Sequence, residues 1–266
     1  MKKQTAPIKY FGGKGTTYNN IIKYFPSNSD YDTYIEPFGG SYSIGLNLEN
    51  PPKIEIYNDL EKNVYSLYKV LSDKELVIKF KEKCDLVLYS EDLRKEFKEL
   101  LKTDLSLVDR AFYFFYFNRT SHNGSGGFSK NTYIRRNMSK SISDFLSSID
   151  KLPELHNRLS KVIVSNSDGI ELIKKYNDSR ILIYCDPPYE QSTRTSARYN
   201  VDMNINEHIK FLEIVKESKS KIIISGYDCE LYNTLINWEK IQFDVKTISG
   251  NFKSKIKTET LWRNYN

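Results

Sequence analysis

Five short apolar runs constrain the fold of this chain more than any other feature of its sequence. Each run is closed by turn residues, and segments with helical spacing of apolar residues lie between them. Such runs are typical of strands buried on both faces of a parallel sheet. We therefore predict an α/β fold with helices on both faces of the sheet. The predicted strands are Thr33–Glu36, Lys53–Tyr57, Lys161–Ser165, Arg180–Cys185 and Lys221–Ser225.

Helical patterns separate these strands, and one long stretch differs from the rest. Residues 61–159 contain no clear buried strand, and their helical part gives way to a segment rich in Asn, Ser, Gly and Arg at 118–137. We therefore predict an α/β core made of residues 1–60 and 160–266, with 61–159 as an insert. The predicted helices are 61–71, 74–88, 91–101, 107–117 and 207–218.

Composition narrows the class of protein. Hydrophobic residues make up 39% of the 266, which is typical of a globular chain with a sizeable core. No run approaches the ~20 apolar residues of a membrane helix, and the N-terminus lacks the apolar segment of a signal peptide. The three cysteines are widely separated, and the three histidines lack metal-ligand spacing. We therefore expect a cytoplasmic protein without a membrane segment, a disulfide framework or a metal site.

A glycine-containing turn follows the first predicted strand, within Glu36-Pro-Phe-Gly-Gly-Ser41. Glycines at a strand-to-helix turn let the backbone approach a ligand closely. The spacing does not match G-x-G-x-x-G, which disfavours a dinucleotide-dependent dehydrogenase. The second predicted strand ends at Asp59, 20 positions after Gly39, where an acid can bind ribose hydroxyls. The two features together predict an adenosine-containing cofactor.

The tetrapeptide Asp186-Pro187-Pro188-Tyr189 follows the fourth predicted strand. Open α/β sheets bind ligands at the carboxyl ends of their strands, and two prolines stiffen the turn at this place. The Asp186 carboxylate and the Pro187 carbonyl can accept both hydrogens of an aromatic amine, which directs its lone pair towards an alkyl donor. Tyr189 can stack on the base. A base inside a duplex must be flipped out to reach such a pocket.

Taken in order along the chain, these elements resemble the DNA adenine methylase (Dam) family of N6-adenine methyltransferases. The N-terminal Lys9-Tyr-Phe-Gly-Gly-Lys14 is similar to the family's aromatic-Gly-Gly-Lys element, and Asp186 to Tyr189 to its catalytic motif. The resemblance implies a Rossmann-like methyltransferase sheet with helices on both faces, plus an inserted, mostly helical target-recognition domain with a hairpin. It implies methyl transfer from S-adenosyl-L-methionine to adenine N6 of a flipped-out base in duplex DNA.

The resemblance also assigns residues to the cofactor. Ser167-Asp168-Gly169 occupies the place where the family sets an acid against the cofactor adenine, and Asp59 the place of the ribose acid. The implied cofactor contacts are Tyr10, Lys14, Glu36, Pro37, Phe38, Gly39, Gly40, Ser41, Asp59, Asp168 and Asp186.

DNA contacts are expected in the insert and in a loop after the catalytic motif. Asn118-Arg119-Thr-Ser-His-Asn123-Gly124 resembles the entry to the family's DNA-reading hairpin, and Asn and Arg suit adenine and guanine edges. Relatives that read a guanine often carry a basic residue after this Asn-Gly, where the chain has Ser125-Gly-Gly127, so the target sequence stays open. The polar stretch 190–206 predicts a mobile loop around the flipped base. The candidate DNA-binding residues are Lys9, Asn118, Arg119, Asn123, Lys130, Arg135, Arg136, Arg194 and Arg198, with Lys140 as a further phosphate contact.

Other readings of the same motifs remain. Methylases of RNA adenine, cytosine N4 and glutamine amides use related tetrapeptides, and a catalytically silent nucleic-acid-binding relative is the non-enzymatic alternative. The net charge of +6 is compatible with a polyanionic partner without identifying one. Cys185 is expected in the core because it alternates with Asp186 along the strand. We expect duplex DNA as the partner, a monomer in solution and a possible companion restriction enzyme.

Overall fold

The computed structural model describes residues 3–10, 12–193, 201–248 and 254–265. Every helix and strand predicted above is found within two residues of its predicted bounds. The helices are α1 (Tyr18–Ile22), α2 (Lys62–Ser72), α3 (Lys74–Leu86), α4 (Glu91–Leu100), α5 (Leu107–Arg119), α6 (Lys140–Asp150), α7 (Leu152–Leu159), α8 (Gly169–Lys175) and α9 (Ile205–Glu217). The strands are β1 (Thr33–Glu36), β2 (Ile54–Asn58), β3 (Ile134–Arg135), β4 (Met138–Ser139), β5 (Ile163–Ser165), β6 (Ile181–Cys185), β7 (Lys221–Gly226), β8 (Glu239–Ile248) and β9 (Ser254–Arg263).

The described residues form a seven-stranded sheet in the order β5-β2-β1-β6-β7-β9-β8. Strands β2, β1, β6 and β7 run parallel, with Ile35 of β1 opposite both Ile56 and Ile183. The sheet is mixed because β9 runs antiparallel to both β7 and β8. The Rossmann-like α/β prediction is confirmed, and the sheet has in addition an antiparallel edge that the five apolar runs did not indicate. Strand β8 alternates polar and apolar residues, and β9 is polar up to Thr260 apart from Ile256, so neither contains the continuous apolar run by which the parallel strands were found.

Alternation along the parallel strands separates a core face from a polar face. Ile35, Ile183 and Ile224 are fully buried and join one cluster with Phe211 of α9 and Ile170 of α8. Side chains of successive strand residues point to opposite faces. The neighbours of the core residues therefore form the other face, which carries Tyr34, Glu36, Tyr184 and Ser225.

The chain divides into two compact units, and each is described separately below. The first unit comprises residues 1–15, 40–47 and 61–166, and the second comprises 16–39, 48–60 and 167–266. The first unit therefore contains all of the stretch predicted as an insert, 61–159, together with three segments from the predicted core, 1–15, 40–47 and 160–166. A separate target-recognition domain with bounds 61–159 stays a prediction.

The core of the first unit is aromatic and centres on α5. Phe115 and Tyr116 are buried, with ring centroids 5.5 Å from Phe80 and 5.0 Å from Phe97, respectively. The Tyr116 hydroxyl donates to Leu88 O at 2.7 Å and accepts from Ser90 N at 2.7 Å, which holds the α3–α4 connection against α5. This packing fixes the end of α5, where the Asn118-Arg119 motif lies. No helix among the described residues is long and apolar enough to cross a membrane.

Candidate active site and nucleic-acid interface

The carboxyl ends of β2, β1 and β6 bring the predicted acids to one edge of the sheet. Glu36 ends β1, Asp59 follows β2 and Asp186 follows β6, and these three strands are parallel neighbours with β1 in the middle. The chain leaves β1 for β2 on one side and later enters β6 on the other side, so the strand order switches direction at β1. Such a switch point opens a crevice for ligands in α/β sheets.

Asn58 joins the loops around this crevice, although the sequence analysis did not single it out. Its side chain is fully buried, and Nδ2 donates to Pro37 O at 2.8 Å and to Ser167 O at 2.9 Å. Its Oδ1 accepts from the backbone N and the hydroxyl of Ser167, both at 2.9 Å. The loops after β1 and before α8 are thus held to the end of β2. Its position directly before Asp59 was the available sequence signal.

Three acids predicted to contact the cofactor have different surroundings in the second unit. Glu36 is buried and accepts a hydrogen bond from Tyr34 OH at 2.7 Å, and Asp59 is also buried. Asp168 caps α8, because its Oδ1 accepts from Ile170 N at 2.8 Å and from Glu171 N at 3.0 Å. Capping fixes the Asp168 side chain at the start of the helix.

Phe38 shapes the same loop through close contacts. Its ring packs edge-to-face on Phe211 at 5.9 Å, and a Cβ at Gly169 would lie 2.6 Å from its Cε1. A Cβ at Gly39 would lie 2.2 Å from the Tyr57 ring. Neither glycine can carry a side chain without displacing the loop. Buried carboxylates beside a backbone kept this compact suit the hydroxyls and amine of an adenosyl group.

The remaining cofactor candidates belong to the first unit. Gly40 has a φ of 48°, and a Cβ there would lie 2.8 Å from the Tyr10 ring. Ser41 O accepts from Tyr68 OH at 2.6 Å, which holds the end of the glycine turn against α2. Lys14 is buried, and its Nζ donates to Gly12 O at 3.1 Å. Within this unit, Tyr10 and Gly40 are therefore in direct contact.

The tetrapeptide Asp186–Tyr189, predicted to be catalytic, lies at the polar face of the sheet. Ser225 Oγ is 2.8 Å from Asp186 Oδ1, and Tyr184 OH is 2.8 Å from Ser225 Oγ. Asp186 is half-buried and Pro187 is buried. Burial and the negative charge of Asp186 hold the pKa of Tyr184 well above its ordinary value, so the phenol stays protonated. Burial likewise raises the pKa of Cys185, which agrees with its predicted place in the core.

Tyr189 is buried and bound through its hydroxyl, which donates to Glu259 of β9. Its ring packs edge-to-face on Tyr227 at 4.8 Å, and Lys257 Nζ lies 4.8 Å from the Tyr227 ring centroid. Burial and the charges of Asp186 and Glu259 hold the pKa of Tyr189 well above its ordinary value. The antiparallel edge of the sheet therefore fixes the last residue of the motif, and stacking of Tyr189 on a base stays a prediction.

Comparison with known proteins settles the family. The sequence profile of the D12 class N6 adenine-specific DNA methyltransferases matches residues 10–248. The chain belongs to this family. It is 25% identical to the Type II methyltransferase M.CviBI of Paramecium bursaria Chlorella virus NC1A, over 96% of each chain. It is 24% identical to the DNA adenine methylase of Escherichia coli (strain K12), over 87% of this chain and 84% of that one. Type II methyltransferase M.FokI of Planomicrobium okeanokoites is 25% identical over 98% of this chain, which spans 43% of that relative.

The predicted reading motif of this methyltransferase begins with a structural residue. Asn118 is buried, its Oδ1 accepts from Lys9 N at 2.8 Å, and its Nδ2 donates to Lys9 O at 2.8 Å and Gly124 O at 3.3 Å. Lys9 Nζ donates to Ser121 O at 2.8 Å and Arg119 O at 3.3 Å. Burial and the charge of Arg119 lower the pKa of Lys9 to about 8. Asn118 and Lys9 together hold the N-terminal segment against the end of α5.

The loop after α5 presents Asn123 outwards. Asn123 is exposed and has a φ of 52°, a left-handed conformation that Asn tolerates better than most residues. Gly124 follows with a φ of 88°, and a Cβ there would lie 2.2 Å from Lys9 O. Arg94 braces the loop from α4 by donating to Gly126 O at 2.5 Å and to Ser121 Oγ at 2.9 Å. Asn123 is therefore exposed on a supported loop.

Several basic residues of the first unit that were predicted to bind DNA form ion pairs or hydrogen bonds within the unit. Lys130 pairs with Glu91 at 2.6 Å, and Arg135 and Lys140 both pair with Asp144, at 2.7 and 2.5 Å. The two-residue strands β3 and β4 form the hairpin, whose turn residues Arg136 and Asn137 have φ values of 55° and 56°. Arg136 donates to Ser147 Oγ at 3.1 Å.

Burial lowers the pKa of Arg119, and its Nε has no hydrogen-bond partner among the described residues. Arg194 and Arg198 lie in residues 194–200 of the predicted loop 190–206, outside the described residues.

Proposed function

We propose that this methyltransferase uses S-adenosyl-L-methionine to methylate adenine N6 at a short site in duplex DNA, with Asp186 as the residue that binds the reacting amine. The observation that carries the proposal is the place of Asp186. It follows a parallel strand at the switch point of the sheet, and a buried hydroxyl holds its carboxylate. Tyr34, Glu36, Tyr184 and Ser225 supply further polar groups on this face, which suits a polar base edge better than an apolar ligand.

Asp186 and Pro187 act on the amino group of a flipped adenine. The carboxylate and the Pro187 carbonyl each accept one amino hydrogen, which weakens delocalisation of the N6 lone pair into the ring. S-adenosyl-L-methionine, when bound, supplies an electrophilic methyl group. The nitrogen would gain the methyl group as the bond from that methyl to the sulfonium sulfur breaks and leaves a thioether, and the Asp186 carboxylate, hydrogen-bonded to the amine, would accept the amino proton that is lost. Pro188 and the hydrogen-bonded Tyr189 keep the loop rigid during the exchange.

The residues around the crevice suit the cofactor. We assign Asp59 to the ribose hydroxyls and Asp168 to the adenine amine, because each is a fixed carboxylate at the carboxyl edge of the sheet. The same proposal includes Glu36, Pro37, Phe38 and Gly39 of the second unit and Tyr10, Lys14, Gly40 and Ser41 of the first.

DNA recognition is assigned to the first unit. Asn123 is the best-supported base-reading residue, because it is exposed on a braced loop, whereas the Asn118 carboxamide is bonded to backbone. We assign Arg119 to a base edge and Lys9 to placement of the loop. Lys130, Arg135 and Arg136 contact phosphates after exchanging their present partners for DNA, together with Arg194 and Arg198. Residues 61–159 form the target-recognition domain of a monomeric enzyme, and a companion nuclease would cleave the same site.

The test is sequencing of genomic DNA from a methylation-free bacterial host that expresses the protein. N6-methyladenine at one short motif, absent with Asp186→Ala, supports the proposal and supplies the target sequence. Thermal melting and calorimetric titration with S-adenosyl-L-methionine show whether Asp186→Ala still folds and binds the cofactor. Methylation that persists with Asp186→Ala overturns its assignment. Unmodified genomic DNA, from soluble protein that binds the cofactor, overturns the DNA substrate in favour of RNA or another amine.

A further inference from the structure

Ser225 lies beside Asp186 because of the strand register. Cys185 of β6 is paired with Ile224 of β7 in a parallel ladder, so the next residues along the two strands, Asp186 and Ser225, lie level with each other. Ser225 is 1% exposed, and its Oγ is 2.8 Å from Asp186 Oδ1. At that distance and burial the hydroxyl forms a hydrogen bond shielded from water.

The direction of each hydrogen bond follows from the number of protons. An ionised carboxylate only accepts, so the single hydroxyl hydrogen of Ser225 goes to Asp186. Ser225 Oγ then accepts at its other side, and Tyr184 OH, 2.8 Å away, is the donor there. Burial keeps the Tyr184 phenol protonated, as this direction requires. The three groups form one line in which Tyr184 donates to Ser225 and Ser225 donates to Asp186.

The polar face holds this line in place. The Tyr184 ring packs against Phe25 with centroids 6.3 Å apart, and Phe25 also packs against Tyr34 at 5.7 Å. Tyr184 is 2% exposed, so its hydroxyl cannot turn towards solvent. Because the ring is fixed, the hydroxyl offers Ser225 one orientation, and Ser225 in turn offers Asp186 one orientation. Hydrogen bonds in such a line polarise and strengthen one another.

We propose that Ser225 is a positioning residue that sets the orientation of the Asp186 carboxylate for the amine, and that Tyr184 acts on Asp186 only through Ser225. The proposal rests on the assignment of Asp186 given under the proposed function. Without this bond the Asp186 carboxylate loses the donor by which Ser225 fixes its terminal torsion, so fewer enzyme–substrate complexes have an acceptor aimed at the amino group. The expected defect is therefore in kcat, with little change in the binding of DNA or cofactor.

The test compares Ser225→Ala, Tyr184→Phe and the double variant with the wild type. A hydrogen bond to a charged group is worth enough for a loss of about 10- to 100-fold in kcat with Ser225→Ala. Tyr184→Phe should lose about 3- to 10-fold, and the double variant should be no slower than Ser225→Ala alone. Ser225→Thr keeps the hydroxyl in a strand that tolerates Thr and should restore kcat to within about threefold of the wild type. KM for DNA and the Kd for cofactor should stay within about twofold.

A matched control separates positioning from general loss of a buried hydroxyl. Tyr232→Phe removes another buried phenol of the second unit, one that contacts His208 Nδ1 at 3.1 Å, and should leave kcat unchanged. A kcat of Ser225→Ala equal to that of the wild type overturns the proposal. So does a double variant whose loss in kcat equals the product of the losses in the two single variants. If Ser225→Ala fails to fold, Tyr184→Phe is the test instead. An unchanged kcat in Tyr184→Phe overturns the proposed line of hydrogen bonds from Tyr184 through Ser225 to Asp186. Turnover retained by Asp186→Ala would instead overturn the proposed function itself.

Discussion

Asn58→Ala removes a side chain that joins the end of β2 to the loops after β1 and before α8, around the proposed cofactor crevice. Four hydrogen bonds are lost: two donated by Nδ2, to Pro37 O and Ser167 O, and two accepted by Oδ1, from Ser167 N and Oγ. Asn58 is fully buried, so no water replaces these partners without rearrangement. The variant therefore tests whether the geometry of the crevice depends on a residue that need not touch the ligand.

The size of the effect follows from this inventory. At about 1 kcal/mol net per hydrogen bond, four bonds are worth about 4 kcal/mol of unfolding free energy. For a chain of roughly this size each kcal/mol moves the melting temperature by about 2–4 °C, so we expect a drop of about 8–16 °C. Affinity for S-adenosyl-L-methionine should fall by at least about tenfold, because the loops of Pro37 and Ser167 are no longer held together.

Thermal melting and calorimetric titration measure the two effects of Asn58→Ala separately. Asn58→Asp is the second variant, because it keeps the acceptor for Ser167 but turns an oxygen towards two carbonyl oxygens, and it should be at least as damaging. Asn206→Ala is the control, since Asn206 is exposed in the first turn of α9. A melting temperature within about 2 °C of the wild type and unchanged cofactor affinity in Asn58→Ala would refute the reasoning.

Three further substitutions test other parts of the molecule. The lowered pKa of Lys9, about 8, means that the unfolded chain binds more protons between about pH 8 and 10, so stability should rise with pH there. Lys9→Met should remove that rise in urea unfolding at fixed pH values. Gly169→Ala places a Cβ 2.6 Å from the Phe38 ring and should weaken cofactor binding by calorimetry. Asp144→Asn releases Arg135 and should tighten binding to non-specific duplex several-fold by fluorescence anisotropy, with a steeper salt dependence.

Each of these three predictions has an outcome that contradicts it. A pH slope in Lys9→Met equal to that of the wild type would place the titrating group elsewhere. Unchanged cofactor affinity in Gly169→Ala would mean that the Phe38 loop moves without cost. For Asp144→Asn the control is Asp150→Asn, which removes the same charge from the exposed end of α6 without releasing an arginine. If the two variants tighten DNA binding equally, the effect of Asp144→Asn comes from the change in net charge and not from the release of Arg135.

Local sequence patterns were enough to predict the parallel strands and the turns that follow them. A run such as Ile181–Cys185 is buried on both faces, so its apolar character is continuous and visible in one segment. The acids Asp59 and Asp186 directly follow such runs, which places them at the carboxyl edge whatever the order of strands. The edge of the sheet that carries the proposed cofactor site could therefore be predicted from residues close together in sequence.

Contacts that depend on strand order and register could not be found in this way. Ser225 reaches Asp186 because β7 is the parallel neighbour of β6, and Glu259 reaches Tyr189 because β9 returns antiparallel beside β7. These pairs are 39 and 70 positions apart in sequence. Strand β9 also lacks a continuous apolar run, so the contact between Glu259 and Tyr189 could not be derived from a local pattern.

The two-residue alternation of a strand explains why stability and chemistry are so closely coupled in this methyltransferase. On β6, Ile183 and Cys185 enter the core with α8 and α9, while Tyr184 and the following Asp186 form the polar line with Ser225. A one-residue slip of β6 would exchange the two sets and could place the Asp186 carboxylate in the core, where Cys185 lies. The apolar residues of β6 thus determine the register that aligns Asp186 with Ser225. Selection on the fold of this strand is at the same time selection on the position of the carboxylate that we propose to be catalytic.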